Sequence, residues 1–129
     1  MPIVRRILSI DDQASICQMI DFTMSDMSDT STSYVVDSAS NGELGVQMAK
    51  KQQYDLVITD QKMPGMVDGL SVIRQLRALP EYQNVPILML TMETTEEMKN
   101  AARKAGATGW INKPFTPISL VTIAQRVLR

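Results

Sequence analysis

The sequence predicts an α/β domain built on a doubly wound, five-stranded parallel sheet in the order 2-1-3-4-5. Short apolar runs alternate five times with longer amphipathic runs, the pattern of a parallel sheet covered by helices. Right-handed crossovers between successive strands then place the first strand between the second and third. Polar and acidic residues collect where the apolar runs stop, at the carboxyl ends of strands, where such sheets bind ligands.

The elements follow in order. Residues 6–10 form the first strand, stopped by Asp11-Asp12, and a helix follows from about Ala14 with Ile16, Met19, Ile20 and Phe22 near helical spacing. Residues 25–33, rich in Ser, Thr and Asp, read as a loop, and residues 34–36 as the second strand. Asn41-Gly42 turns into a helix over 43–51, with Leu44, Val46 and Met48 near its inner side. Residues 54–59 are the third strand, Asp60 stands at its carboxyl end, and 62–68 is a loop punctuated by Pro64 and Gly65. A helix over 70–79 sets Leu70, Ile73, Leu76 and Leu79 on one stripe. Residues 86–90 are the fourth strand, ending at Thr91. Thr94 or Thr95 caps the fourth helix, Glu96 and Glu97 lie in its first turn, and Gly106 ends it. Residues 109–112 are the fifth strand. The last helix begins after Pro117 and carries Ile118, Val121 or Leu120, Ala124, Val127 and Leu128.

Bulk properties narrow the function. The 129 residues suit one domain, expected to span 1–129 with no output domain, and the chain stops with its fifth helix. Thirteen basic against 14 acidic residues give a net charge of −1, without the basic excess of a nucleic-acid surface. The single Cys17 cannot form an internal disulfide, no apolar run reaches membrane-spanning length, and the start MPIVRR lacks a signal-peptide core. A cytoplasmic location is expected. There is no histidine, so the chain offers no phosphohistidine, histidine base or histidine metal ligand. Neither a G-x-x-x-x-G-K-[ST] nor a G-x-G-x-x-G motif is present. The ten methionines read as flexible core filler.

The chemistry lies at the strand ends. Asp11, Asp12, Asp60, Thr91 and Lys113 fall on four strand ends that the topology gathers at one edge of the sheet. Carboxylates so placed repel one another, and a hard cation such as Mg²⁺, bound by oxygen ligands, relieves the repulsion. An aspartate beside such a cation can attack a phosphoryl group and become an acyl phosphate, while an ammonium and a hydroxyl hold the transferred oxygens. Asp-Asp alone is an ordinary polar turn, Thr91 alone a helix cap and Lys113 alone a solvated lysine. Their joint placement carries the assignment.

On these residues the chain resembles a response-regulator receiver domain over essentially its whole length. The acid pair Asp11-Asp12, the stretch from Leu56 through Asp60 to Met66, the strand end at Thr91 and Lys113-Pro114-Phe115 match that family's motifs in order. The resemblance implies a flavodoxin-like fold, Asp60 as phosphoacceptor, and Mg²⁺ held by Asp11, Asp12, Asp60 and the Lys62 backbone carbonyl. Asp12 would be the direct ligand and Asp11 would act through water. Thr91 and Lys113 would read the phosphoryl oxygens, Trp110 falls at the aromatic switch position, and Lys113–Pro114 would be cis. Lys62 and Glu93, two residues past the acceptor and two past Thr91, would flank the route of hydrolytic water and set its rate.

The family role implies a histidine kinase or histidine phosphotransfer protein as donor. It also implies a downstream protein bound through the face of helix four, strand five and helix five. The protein is expected to be a monomer that catalyses only its own phosphorylation and dephosphorylation, and residues 112–117 resemble chemotaxis-type regulators in particular. The family's Met-Pro-x-Met-Asp-Gly is here Met63-Pro64-Gly65-Met66-Val67-Asp68-Gly69, so Val67 is one residue extra and lengthens the loop bordering the pocket. The rival reading is a Mg²⁺-dependent aspartyl-phosphate phosphohydrolase. That class needs a D-x-D motif after strand one and a capping insertion, and neither is present. A flavin carrier would need a phosphate-cradling loop where this chain has two carboxylates.

Overall fold

The computed structural model describes residues 3–128. The strands are β1 (Ile3–Ile10), β2 (Thr32–Ala39), β3 (Leu56–Asp60), β4 (Ile87–Thr91) and β5 (Gly109–Asn112). The helices are α1 (Ala14–Ser25), α2 (Gly42–Lys51), α3 (Gly69–Arg77), α4 (Glu96–Ala105) and α5 (Pro117–Val127), with a single 3₁₀ turn at Pro80–Tyr82. All strand pairs are parallel and the order is β2-β1-β3-β4-β5, as expected.

Alternation along the strands divides the interior in two. Leu8, Ile10, Val57, Ile87 and Met89 face α2, α3 and α4, meeting Val46, Ala49, Val72, Ile73, Leu76, Ala102 and Ala105. Their neighbours Ile7, Leu56, Ile58, Leu88, Leu90 and Ile111 face α1 and α5, meeting Ile20, Met24, Leu120 and Ala124. Each fully buried aliphatic side chain contributes roughly 1.5–3 kcal/mol, so these two layers hold the sheet and its strand ends in place. No described helix is long and apolar enough to cross a membrane.

Helix ends follow local chemistry. Asn41, Asp68, Thr95 and Thr116 each accept a backbone N–H from three residues on, satisfying a donor of the first turn. Gly106 closes α4 at φ 105°, the left-handed conformation that favours glycine.

Several expectations need correction. Phe22 and Ile118 are 77% and 80% exposed. Each stands two residues from a buried position, Ile20 and Leu120, and residues two apart do not share a helix face. Leu44 is also exposed, because α2 turns inward at Gly42, which lies against Val67 and Val72, and at Gly45, which lies on Ile10 of β1. A Cβ at Gly45 would lie 2.4 Å from Ile10 Cδ1, so the inner stripe runs through 42, 45, 46 and 49.

The second strand spans Thr32–Ala39 and pairs in register with the whole of β1, which itself begins at Ile3. β2 is an edge strand with only Ala39 buried, so most of it carries polar or half-exposed residues rather than an apolar run. The loop expected over 25–33 shrinks to 26–31, where the Asp29 carboxylate accepts the N–H groups of Ser31 and Thr32 at 2.8 Å each. The 3₁₀ turn was not foreseen. It buries Tyr82, whose hydroxyl donates to the Ala49 carbonyl at 2.7 Å and accepts the Tyr54 N–H at 3.2 Å.

Candidate functional site

Asp11 follows directly on β1 and is 1% exposed. Its Oδ1 accepts the Gln13 N–H at 2.9 Å and its Oδ2 lies 3.1 Å from Lys113 Nζ, so both oxygens are engaged. Asp12 is exposed and faces the cleft. Asp60, the last residue of β3, is 7% exposed, and its Oδ1 lies 3.1 Å from the same Lys113 Nζ. Thr91 ends β4. Its hydroxyl oxygen accepts the Glu93 N–H at 3.0 Å, leaving the hydroxyl proton free to donate. Lys113 follows β5, its N–H donates to the Thr91 carbonyl at 2.9 Å, and the Lys113–Pro114 peptide is cis.

Electrostatics here turns on burial and one cation. Burial pushes the Asp60 carboxyl above its usual value and the Asp11 charge adds to this, while the Lys113 hydrogen bond opposes it. For Lys113, burial favours the neutral amine, but hydrogen bonds and charges from Asp11 and Asp60 outweigh it and raise the net value. The ammonium is therefore held charged between the two carboxylates.

The carboxylates also fit a cation. One oxygen each from Asp11, Asp12 and Asp60 lies within 4.8 Å of the others, a donor set of hard oxygens that suits Mg²⁺. At the rim, Lys62 Nζ is 3.5 Å from Glu93 Oε1, with the side chains 82% and 39% exposed. Such a pair contributes only about 0–1 kcal/mol to stability.

Trp110 is half-buried among the α2–α4 residues. Its ring lies 5.2 Å from the Arg103 guanidinium and 5.9 Å from Lys99 Nζ, a pair of cation–π contacts to α4. The extra Val67 turns inward. A Cβ on Gly42 would sit 2.4 Å from the Val67 carbonyl oxygen and 2.8 Å from its Cγ1, so the lengthened loop rests on the start of α2. The acidic cluster is intact beside it.

Gln13, Gln61 and Met92 also line the cleft and were not foreseen. Gln61 is 7% exposed and its side chain bonds to the start of α3. The one signal was an amide side chain immediately after Asp60.

The response regulator receiver domain model matches residues 7–125, and the chain belongs to that family. Phosphorylation on aspartate with Mg²⁺ is the family's function. The chemotaxis protein CheY-3 of Vibrio cholerae is 34% identical over 115 residues, covering 89% of this chain and 85% of the relative. A crystal structure of the chemotaxis protein CheY4 from the same species superposes with a TM-score of 0.88 at 37% identity, covering 96% of this chain and 98% of the other. The receiver domain of the sensor histidine kinase PA1611 of Pseudomonas aeruginosa superposes with a TM-score of 0.83 at 27% identity, covering 96% and 97%. That structure has magnesium coordinated in its active-site cleft.

Proposed function

We propose that Asp60 is the phosphoacceptor of a CheY-like receiver, phosphorylated in trans by a histidine kinase or a histidine phosphotransfer protein. The observation that carries this is the placement of the Asp60 carboxylate, 3.1 Å from Lys113 and within the acidic cluster with Asp11 and Asp12. A carboxylate oxygen of Asp60 attacks phosphorus as the bond to the donor nitrogen breaks, giving an acyl phosphate. Lys113 holds one phosphoryl oxygen, and the free proton of the Thr91 hydroxyl reaches another.

Asp12, Asp60 and the Lys62 backbone carbonyl would hold Mg²⁺ directly, and Asp11, its oxygens already committed to Gln13 and Lys113, would act through water. Bound there, Mg²⁺ would supply positive charge to neutralise the transferring group. The domain acts only on its own phosphorylation and dephosphorylation.

Drawing Thr91 toward the phosphoryl group frees space for Trp110, whose contacts with Lys99 and Arg103 couple it to α4. The face of α4, β5 and α5 then changes, and a downstream protein reads it. The net charge of −1 supports a protein rather than a nucleic-acid target. Similarity to the chemotaxis protein CheY-3 supports a chemotaxis-type regulator, which we read as a cytoplasmic monomer.

The metal site is tested by thermal denaturation with and without millimolar Mg²⁺. Wild type should be stabilised by mass action, and Asp12→Ala should lose the shift. An equal shift in that variant would place the metal elsewhere. Lys62 and Glu93 should govern the lifetime of the acyl phosphate by obstructing in-line water, where small misplacements change rates strongly. After removal of donor, Lys62→Ala or Glu93→Ala should lose phosphate faster than wild type, and unchanged decay in both would contradict the gate.

A further inference from the structure

We infer that Gln61 is a positioning residue for the metal: its side-chain amide ties residue 61 to the start of α3 and so aims the next carbonyl, that of Lys62, at the cation. The inference rests on the reading above that Lys62 supplies a Mg²⁺ ligand.

Gln61 is anchored on four sides. Its N–H donates to the Leu90 carbonyl at 3.0 Å, and its carbonyl accepts the Gly69 N–H at 3.0 Å. Its Oε1 accepts the Leu70 N–H at 2.9 Å, and its Nε2 donates to Asp68 Oδ2 at 3.3 Å. Gly69 and Leu70 lie in the first turn of α3, whose N–H groups have no partner within the helix, and Gln61 satisfies both. Asp68 is fixed in turn, because its other oxygen caps α3 by accepting the Ser71 N–H at 2.9 Å.

The loop over 62–68 therefore leaves and rejoins the fold at one bonded junction, and its far end rests on α2 through Val67 and Gly42. Lys62 is the first residue of that loop, so the direction of its carbonyl follows from how Gln61 is held. Both polar atoms of the amide are committed to α3, which makes Gln61 a support for a ligand rather than a ligand.

The side-chain type follows from the partners. Junction with Leu70 needs an acceptor and junction with Asp68 needs a donor, and the amide supplies one on each of its two polar atoms. Asn is shorter by one methylene, and Glu would set a second carboxylate against Asp68. Residues that orient metal ligands through hydrogen bonds typically cost about 10–100-fold in metal affinity when lost.

The test measures Mg²⁺ affinity by calorimetry with no phosphodonor present. Gln61→Met keeps the length and removes both bonds, and should bind Mg²⁺ about tenfold more weakly than wild type. Its Leu70 amide should also exchange faster with solvent in metal-free protein. The double variant Gln61→Glu with Asp68→Asn reverses donor and acceptor at unchanged net charge, and should return to within about threefold of wild type.

Wild-type affinity in Gln61→Met, even with a lowered melting temperature, would make Gln61 structural only and overturn the inference. So would a double variant as weak as Gln61→Met. Should Gln61→Met not fold, the double variant alone decides. Failure of wild type itself to bind Mg²⁺ would overturn the metal reading and this inference with it, an outcome the wild-type arm identifies separately.

Discussion

Lys113→Met is expected to weaken the metal-free fold while tightening its grip on Mg²⁺. Lys113 Nζ lies 3.1 Å from both Asp11 Oδ2 and Asp60 Oδ1, and the side chain of Asp11 is fully buried. Removing one partner of a buried ion pair leaves an uncompensated charge and costs about 3–5 kcal/mol. The low end applies here, because Asp60 opens onto the cleft and is partly screened. The same deletion removes a positive charge beside two carboxylates of the acidic cluster, and Coulomb attraction for a divalent cation rises accordingly. On the order of tenfold tighter binding is expected. Denaturation by urea with and without Mg²⁺ measures both effects at once. Unchanged stability together with unchanged Mg²⁺ affinity would contradict the central place given to Lys113.

Gly69→Ala should damage fold and site together, against the direction that helix propensity alone predicts. Alanine within α3 would ordinarily favour the helix over glycine. Here a Cβ would meet the Asp60 carbonyl oxygen at 2.4 Å and Gln61 Cα at 2.8 Å, both backbone atoms that cannot swing aside. Overpacking of this kind costs about 1–3 kcal/mol. Relief requires moving α3 or the end of β3, and the latter carries Asp60 itself. Phosphorylation by a small donor should therefore slow by roughly tenfold or more, since reactive geometry tolerates little displacement. Gly109→Ala is the control, because its Cβ would find Leu88 Cδ2 at an ordinary 3.5 Å. Melting curves and phosphorylation rates for the two variants make the comparison. Equal behaviour would show that the close approach of α3 to Asp60 does not hold the site.

These two residues illustrate what was legible in the chain. The strands were visible where they are buried on both faces, because a run such as Leu56-Val57-Ile58 must be apolar at every position. The site was visible because Asp60, Thr91 and Lys113 need only strand ends and topology to converge. Gly106, and the cap of α4 to within Thr94 or Thr95, were visible because capping is local, and the structure selects Thr95. β2 was largely hidden, since an edge strand with one buried residue has no apolar signature. Phe22 and Ile118 misled because an apolar residue can remain exposed without leaving a trace in the pattern. Gln61, Tyr82 and Gly69 were hidden for a different reason. Their partners are backbone groups that only the folded chain brings near, such as the Ala49 carbonyl, 33 residues from Tyr82.

The most direct measurement of the central claim is the intact mass of wild type and Asp60→Asn after incubation with acetyl phosphate and Mg²⁺. Asparagine keeps the size of the side chain and removes the nucleophilic carboxylate, so the variant should fold and gain nothing. Wild type should gain the mass of one phosphoryl group, and lose that gain when Mg²⁺ is chelated beforehand. A stable phosphoryl adduct on Asp60→Asn at a yield comparable to wild type would place the acceptor elsewhere and contradict the account.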